Sequence, residues 1–165
     1  MSRKLLRLAL VPLFSVALFA ATAVAAQAAM TVTVGSPAAL TARVGVTVPI
    51  TVSCDPWDAS LTQFSASIFV NVEQAAGNAI AFGSGGLSSG FPGPELFTCD
   101  GSAHTFDVTA LANTASSPFR GGAAVVTASA QAWAGIPCVP DETFFCFINQ
   151  VTQGGSSGAT KVMMR

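Results

Sequence analysis

The chain has a single histidine, His104, and catalysis would be sought there first. Asp107 lies three residues further on and serines are plentiful, so the residue types of a Ser-His-acid hydrolase are all present. The spacing argues against that chemistry. His104 and Asp107 fall on one expected strand, where side chains alternate, so residues three apart face opposite sides. No Gly-x-Ser-x-Gly elbow is read around any serine. Glycoside hydrolysis would need two carboxylates facing across a cleft, and the positions of Glu73, Glu95 and Glu142 give no reason for them to meet. Zinc prefers clustered Cys and His, whereas these cysteines are scattered. Asp55, Asp58 and Asp100 lack the alternating spacing of a calcium loop. The expectation is a non-catalytic protein with no metal and no cofactor.

The four cysteines are Cys54, Cys99, Cys138 and Cys146, and four cysteines allow three pairings. The favoured one is Cys54–Cys99 with Cys138–Cys146, because the second pair brackets the turn-like Val139-Pro140-Asp141-Glu142. Loop-closure entropy assigns roughly 4 kcal/mol to the long bridge and roughly 2.6 kcal/mol to the short one.

Oxidised cysteines fit the start of the chain. Arg3, Lys4 and Arg7 precede an apolar run from Leu8 to Ala26, closed by Ala26-Gln27-Ala28. That is the layout of a secretory signal peptide, residues 1–28, followed by one domain over 29–165. Pro12 and the small-residue end favour cleavage over anchoring, and no second apolar run follows, so no membrane span is expected after removal. Losing three of the seven basic residues leaves four against eight acids, a net charge of −4. With no basic cluster, such a surface is a poor partner for nucleic acid or anionic membrane.

The elements that must position any site are strands. Val46, Val48, Ile50, Val52 and Cys54 alternate with polar residues, as do Phe64, Ala66, Ile68, Val70 and Val72. Pro49 suggests an edge strand or an N–H turned away from its partner. Gly77-Asn78 marks a turn, and Asp100-Gly101 marks a hairpin between Leu96–Cys99 and Ala103–Leu111. Gly83 to Pro94 is too rich in Gly and Pro for a packed strand and reads as a loop. Ala123–Trp133, Phe144–Val151 and Thr160–Met164 complete the strands, the last two joined through Gly154–Gly158. Seven to nine short strands predict an all-β fold, an immunoglobulin-like antiparallel β-sandwich with two disulfides.

Aromatic side chains are the candidate binding residues. Trp57 follows Cys54-Asp55-Pro56 in an expected turn, Phe91 lies in the Gly-rich segment, and Phe144, Phe145 and Phe147 crowd around Cys146. Phe91 and Phe144 are the expected anchors, with Trp57 next, at the sandwich end that gathers the Gly83–Pro94 and Cys138–Cys146 loops.

The segments Val46-Thr47-Val48-Pro49-Ile50-Thr51-Val52-Ser53-Cys54 and Cys99-Asp100-Gly101-Ser102-Ala103-His104-Thr105-Phe106 carry a resemblance to the secreted immunoglobulin-like β-sandwich domains of bacteria. More distantly, the chain is similar to the enediyne-carrying apoproteins of actinomycetes, which are small, acidic, two-disulfide sandwiches. The first resemblance implies an extracellular module that contacts a protein or envelope polymer. The second implies a cleft for a hydrophobic small molecule. In that second family both disulfides close short loops, unlike the pairing favoured here. A secreted hydrolase is the third reading.

Overall fold

The computed structural model describes residues 29–90, 95–138 and 147–165. The expected signal segment, Phe91, Phe144 and Cys146 lie outside these residues, so the proposed cleavage, those two anchors and the Cys138–Cys146 bridge do too. Cys138 itself is an engaged residue and not a free thiol.

Among the described residues there are eight strands: β1 (Met30–Val34), β2 (Ala39–Thr41), β3 (Gly45–Cys54), β4 (Thr62–Ala76), β5 (Ala79–Gly90), β6 (Ala103–Ala112), β7 (Gly122–Pro137) and β8 (Phe147–Met164). They form one antiparallel sheet in the order β1-β3-β6-β5-β4-β7-β8, with β2 added beside β3. The two ends of the sheet nearly meet. Ala38 N–H donates to Met163 O at 2.9 Å, Arg165 N–H donates to Ala38 O at 3.0 Å, and Leu40 N–H donates to Arg165 O at 2.8 Å. The result is a nearly closed barrel. Cys54 and Cys99 form a disulfide that closes 45 residues of chain, as their placement led us to expect.

Period-two alternation builds the interior. Val46, Val48, Ile50 and Val52 of β3 are fully buried, as are Ala66, Ile68 and Val72 of β4. On β7 the inward positions carry Ala124, Val126, Ala128, Ala130, Ala132 and Ala134. This mostly alanine row faces the same core as the branched side chains and lets opposite walls close together. Phe119, completely buried, fills the end of the barrel near Gly83.

Four local expectations are corrected. Gly83–Gly90 is not a loop but the second half of β5, paired with β4 from Gly83↔Val72 to Gly90↔Ser65. Its glycines are needed because β5 crosses close over β6. A Cβ on Gly85 would lie 2.0 Å from Thr109 O, and one on Gly83 would lie 2.6 Å from Leu111 O. Glycine in a strand here marks backbone-to-backbone approach rather than a break. Similarly, Gly154–Gly158 is not a connection but part of one long β8. The register with β7 slips between Thr127 and Ser129, and Gly158, at φ +65°, takes up the extra residue. Leu96–Cys99 is not a strand, so Asp100-Gly101 is not a hairpin turn between paired strands. Gly101 alone has positive φ there, and its N–H donates to Cys54 O at 3.0 Å. Finally, Phe64 does not share the inward face of Ala66 and Ile68. A bulge between Gln63 and Ser65 turns Gln63 inward instead.

Pro49 is not on an edge strand, since β3 lies between β1 and β6. Its carbonyl accepts from Gly35 N–H at 2.7 Å, on the β1 side. A strand residue's N and C=O point the same way, so the missing N–H also falls on that side. It lies just beyond the last β1 pair, Val34↔Ile50, and before the first β2 pair, Ala39↔Thr47. The gap between the two short strands is where a proline costs no ladder bond.

The close approach yields a matched pair of expectations. Gly85→Ala should destabilise the barrel by about 1–3 kcal/mol through overpacking. Gly154→Ala, whose added Cβ would meet Ala130 O only at 3.6 Å, should be neutral or slightly stabilising. Urea denaturation of both variants checks the contrast. By the same method, replacing Cys54 and Cys99 together with serine should cost about 4 kcal/mol.

Candidate functional site

The ends of β3, β5 and β7 and the starts of β4, β6 and β8 lie together at one pole of the barrel. The register requires this: Cys54 pairs with Met30, Ser53 with Ala103, Gly90 with Ser65, Thr62 with Gly135, and Pro137 with Phe147. Trp57, the one sequence-chosen anchor among the described residues, is on the β3–β4 connection at this pole and is half-buried.

The disulfide ties the end of β3 to the segment before β6, and Gln63 locks both to β4. Trp57 Nε1 donates to Gln63 Oε1 at 2.8 Å, and Cys99 N–H donates to the same oxygen at 3.1 Å. Gln63 Nε2 in turn donates to Phe97 O. The bulge described above is what aims Gln63 inward to do this. On the other flank, Gln153 Nε2 donates to Asp55 O at 3.0 Å, and Asp55 Oδ2 accepts from Ala29 N–H at 2.9 Å.

Between these flanks is a surface cavity of about 440 Å³. Pro56, Trp57, Asp58 and Leu61 form one wall, and Val151, Thr152 and Gln153 form the other. Asp58 Oδ1 accepts from Ser60 N–H at 2.9 Å and from Ser60 Oγ at 2.7 Å. These bonds, the backbone one first, hold the Asp58 carboxyl below the usual carboxylate range. Gln153 is only 3% exposed, and its Oε1 is buried without a hydrogen-bond partner.

An apolar surface adjoins the cavity. Phe64 and Phe147 stack with ring centroids 4.4 Å apart and planes 23° apart. Gly135 makes room, since a Cβ there would meet Phe147 Cβ at 3.0 Å. Ile148 and Val151, 51% and 40% exposed, lie on the opposite face of β8 from Phe147, the face that walls the cavity. Sequence reasoning picked out Phe147 as one of a crowded group, but assigned Phe64 to the core and overlooked Gln63 and Gln153. Neither was legible as inward, because the bulge reverses the parity of Gln63 and Gln153 falls beyond the expected Phe144–Val151 strand. Phe69, 53% exposed, was also missed; it lies over Gly86 on the outer sheet face.

The catalytic candidates do not converge. On β6, His104 pairs with Val52 and Asp107 with Pro49, an odd separation that puts them on opposite faces. His104 Nε2 instead lies 3.4 Å from Asp100 Oδ1. Ser102 N–H donates to the same carboxylate, which, as the main cause, lowers the Asp100 pKa. Among the described residues no serine hydroxyl bonds the His104 ring. Gly86-Leu87-Ser88-Ser89-Gly90 and Gly154-Gly155-Ser156-Ser157-Gly158 do fit Gly-x-Ser-x-Gly, contrary to the sequence reading. Both runs lie inside strands, β5 and β8, and not at strand-to-helix turns. Glu73 points outward towards the β4–β5 turn, at the opposite end from Glu95, and Glu142 is outside the described residues.

The fold and pole together define an all-β, disulfide-tied barrel that carries its polar clamps and an apolar surface at one end. Comparison with protein-family models, with curated proteins and with solved structures finds no match for this chain.

Gln63→Leu should uncouple the pole without emptying the core. It strands the Cys99 N–H, the Phe97 carbonyl and the Trp57 indole N–H, at about 1–3 kcal/mol for a buried group left unpaired. Hydrogen exchange should show Cys99 N–H losing protection while the β3 and β7 amides keep theirs.

Proposed function

We propose that this protein is a secreted, non-catalytic binding module of immunoglobulin-like β-sandwich type that recognises a protein partner through the β3–β4/β7–β8 pole. The observation that carries this reading is the adjacency there of exposed Ile148 and Val151 to the Trp57 cavity, with the Phe64–Phe147 stack on the other face of the same strand end. Exposed aliphatic side chains beside an indole and polar groups are the composition of an interface centre. Presentation is rigid, because the disulfide and two glutamines pin the connections that carry it.

The sandwich reading is supported by the thinness of one seam. β5 and β6 share only the pairs Gly83↔Ala112 and Ser84↔Leu111, so the barrel divides naturally into a β1-β2-β3-β6 layer and a β5-β4-β7-β8 layer. Export is supported by the basic and apolar start of the chain and by the disulfide. A carrier of small hydrophobic ligands is the second reading, favoured by the cavity volume, which lies in the range of ligand sites. Its ligand would occupy that surface cavity, since side chains fill the space between the layers.

The test is binding of the secreted protein to the extracellular and envelope proteins of its producing organism. Ile148→Ser with Val151→Ser should lower the affinity at least about tenfold, as expected for apolar contacts near an interface centre. Leu111→Ser, at the opposite end, should leave it unchanged. Equal binding by all variants, or turnover of ester or glycoside reporters by the purified protein, would overturn the reading.

A further inference from the structure

The Trp57 cavity is chemically one-sided. Its indole N–H is spent on Gln63 Oε1, and the Gln153 amide nitrogen donates to Asp55 O. Its free polar groups are mainly acceptors. Asp58 uses only Oδ1 for Ser60, and no hydrogen bond occupies its Oδ2. Gln153 Oε1 is the second, buried and unpartnered in the most enclosed member of the lining. Thr152 adds a hydroxyl that can serve either way. Around these acceptors lie the apolar surfaces of Pro56, Leu61 and Val151, together with the Trp57 ring.

A ligand matched to this lining brings several donors, a positive charge and an apolar stem. An ammonium or guanidinium is attracted by an indole face and by a carboxylate, while its methylenes pack on aliphatic walls. A neutral sugar hydroxyl would satisfy an acceptor but leave Asp58 without a counter-charge.

Building on the binding-module reading above, we propose that the cavity receives a lysine or arginine side chain of the partner protein. The pole therefore recognises a basic residue flanked by an apolar one, the latter seated on Ile148, which shares the cavity's face of β8. The β7–β8 edge bearing Val151–Gln153 supplies one side of the socket, and the Asp55–Leu61 connection supplies the other.

The experiment is a titration of the secreted protein with n-butylammonium chloride, followed by Trp57 fluorescence and by the side-chain amide resonances of Gln153. Trp57→Phe separates the Trp57 signal from that of Trp133. Saturable changes in both readouts are expected, weakened at least about tenfold in Asp58→Asn and reduced by added salt. The asparagine can still accept from Ser60, so the local turn is kept. n-Butanol should produce neither change. Equal binding of n-butanol, saturation by methyl glucoside instead, or no saturation by the ammonium would each overturn the inference. Failure here, with Ile148→Ser/Val151→Ser still abolishing partner binding, would refute the socket and leave the module reading standing. Loss of neither would remove both.

Discussion

The barrel depends on two places where backbone meets backbone with no side chain between. One is β5 against β6, where Gly83 and Gly85 face the carbonyls of Leu111 and Thr109. The other is β8 against β1, where a Cβ on Gly155 would lie 2.4 Å from Met30 O. A twisted antiparallel sheet buries both its exposed ends only by folding across itself, and the fold line leaves no room for Cβ atoms. Once those corners close, the strand ends are forced to the two poles. The connections that carry Trp57 and the disulfide are then brought to the flank of β8. The position of the Trp57 cavity is thus a consequence of where the sheet can bend.

Buried glutamines fix what the corners bring together. Gln63 holds the Phe97–Cys99 segment and Trp57, and Gln153 holds Asp55. At the far pole Gln74 spans the β6–β7 connection, with Nε2 donating to Arg120 O and Oε1 accepting from Arg120 N–H, both at 2.8 Å. Each amide offers a donor and an acceptor and so can replace a ladder partner for backbone that has left the sheet. Irregular segments gain the order of strands without joining one. The far pole is closed further by Phe119 and by Arg43, whose Nε donates to Phe119 O at 3.3 Å.

Much of this was legible because a half-buried strand writes its pattern every second residue. The alternation of Val46–Cys54 and of Ala66–Val72 gave the walls, and Gly77-Asn78 gave the β4–β5 turn. The long bridge, Cys54–Cys99, was also readable. What misled was glycine. The same residue type marks both the Gly77 turn, where φ is +70°, and Gly85, where backbone presses on Thr109. Only the three-dimensional neighbour distinguishes them, so Gly83–Gly90 and Gly154–Gly158 read as loops when they are strands. The bulge at Phe64 was hidden for a related reason, since one inserted residue reverses parity without changing composition. The site was less legible than the fold. Trp57 could be picked by type, but its meeting with Gln153 joins residues nearly a hundred positions apart through the closure of the sheet.

The alanine row of β7 reaches beyond packing. An alanine loses almost no side-chain entropy when buried, but it also removes little apolar surface from water. The heat capacity of unfolding follows the apolar area exposed, so a wall made of alanines lowers it relative to one made of leucines. A smaller heat capacity flattens the dependence of stability on temperature. For this barrel, that means tolerance of cold as well as warmth. The barrel reaches it by wall thinness, with no added contacts.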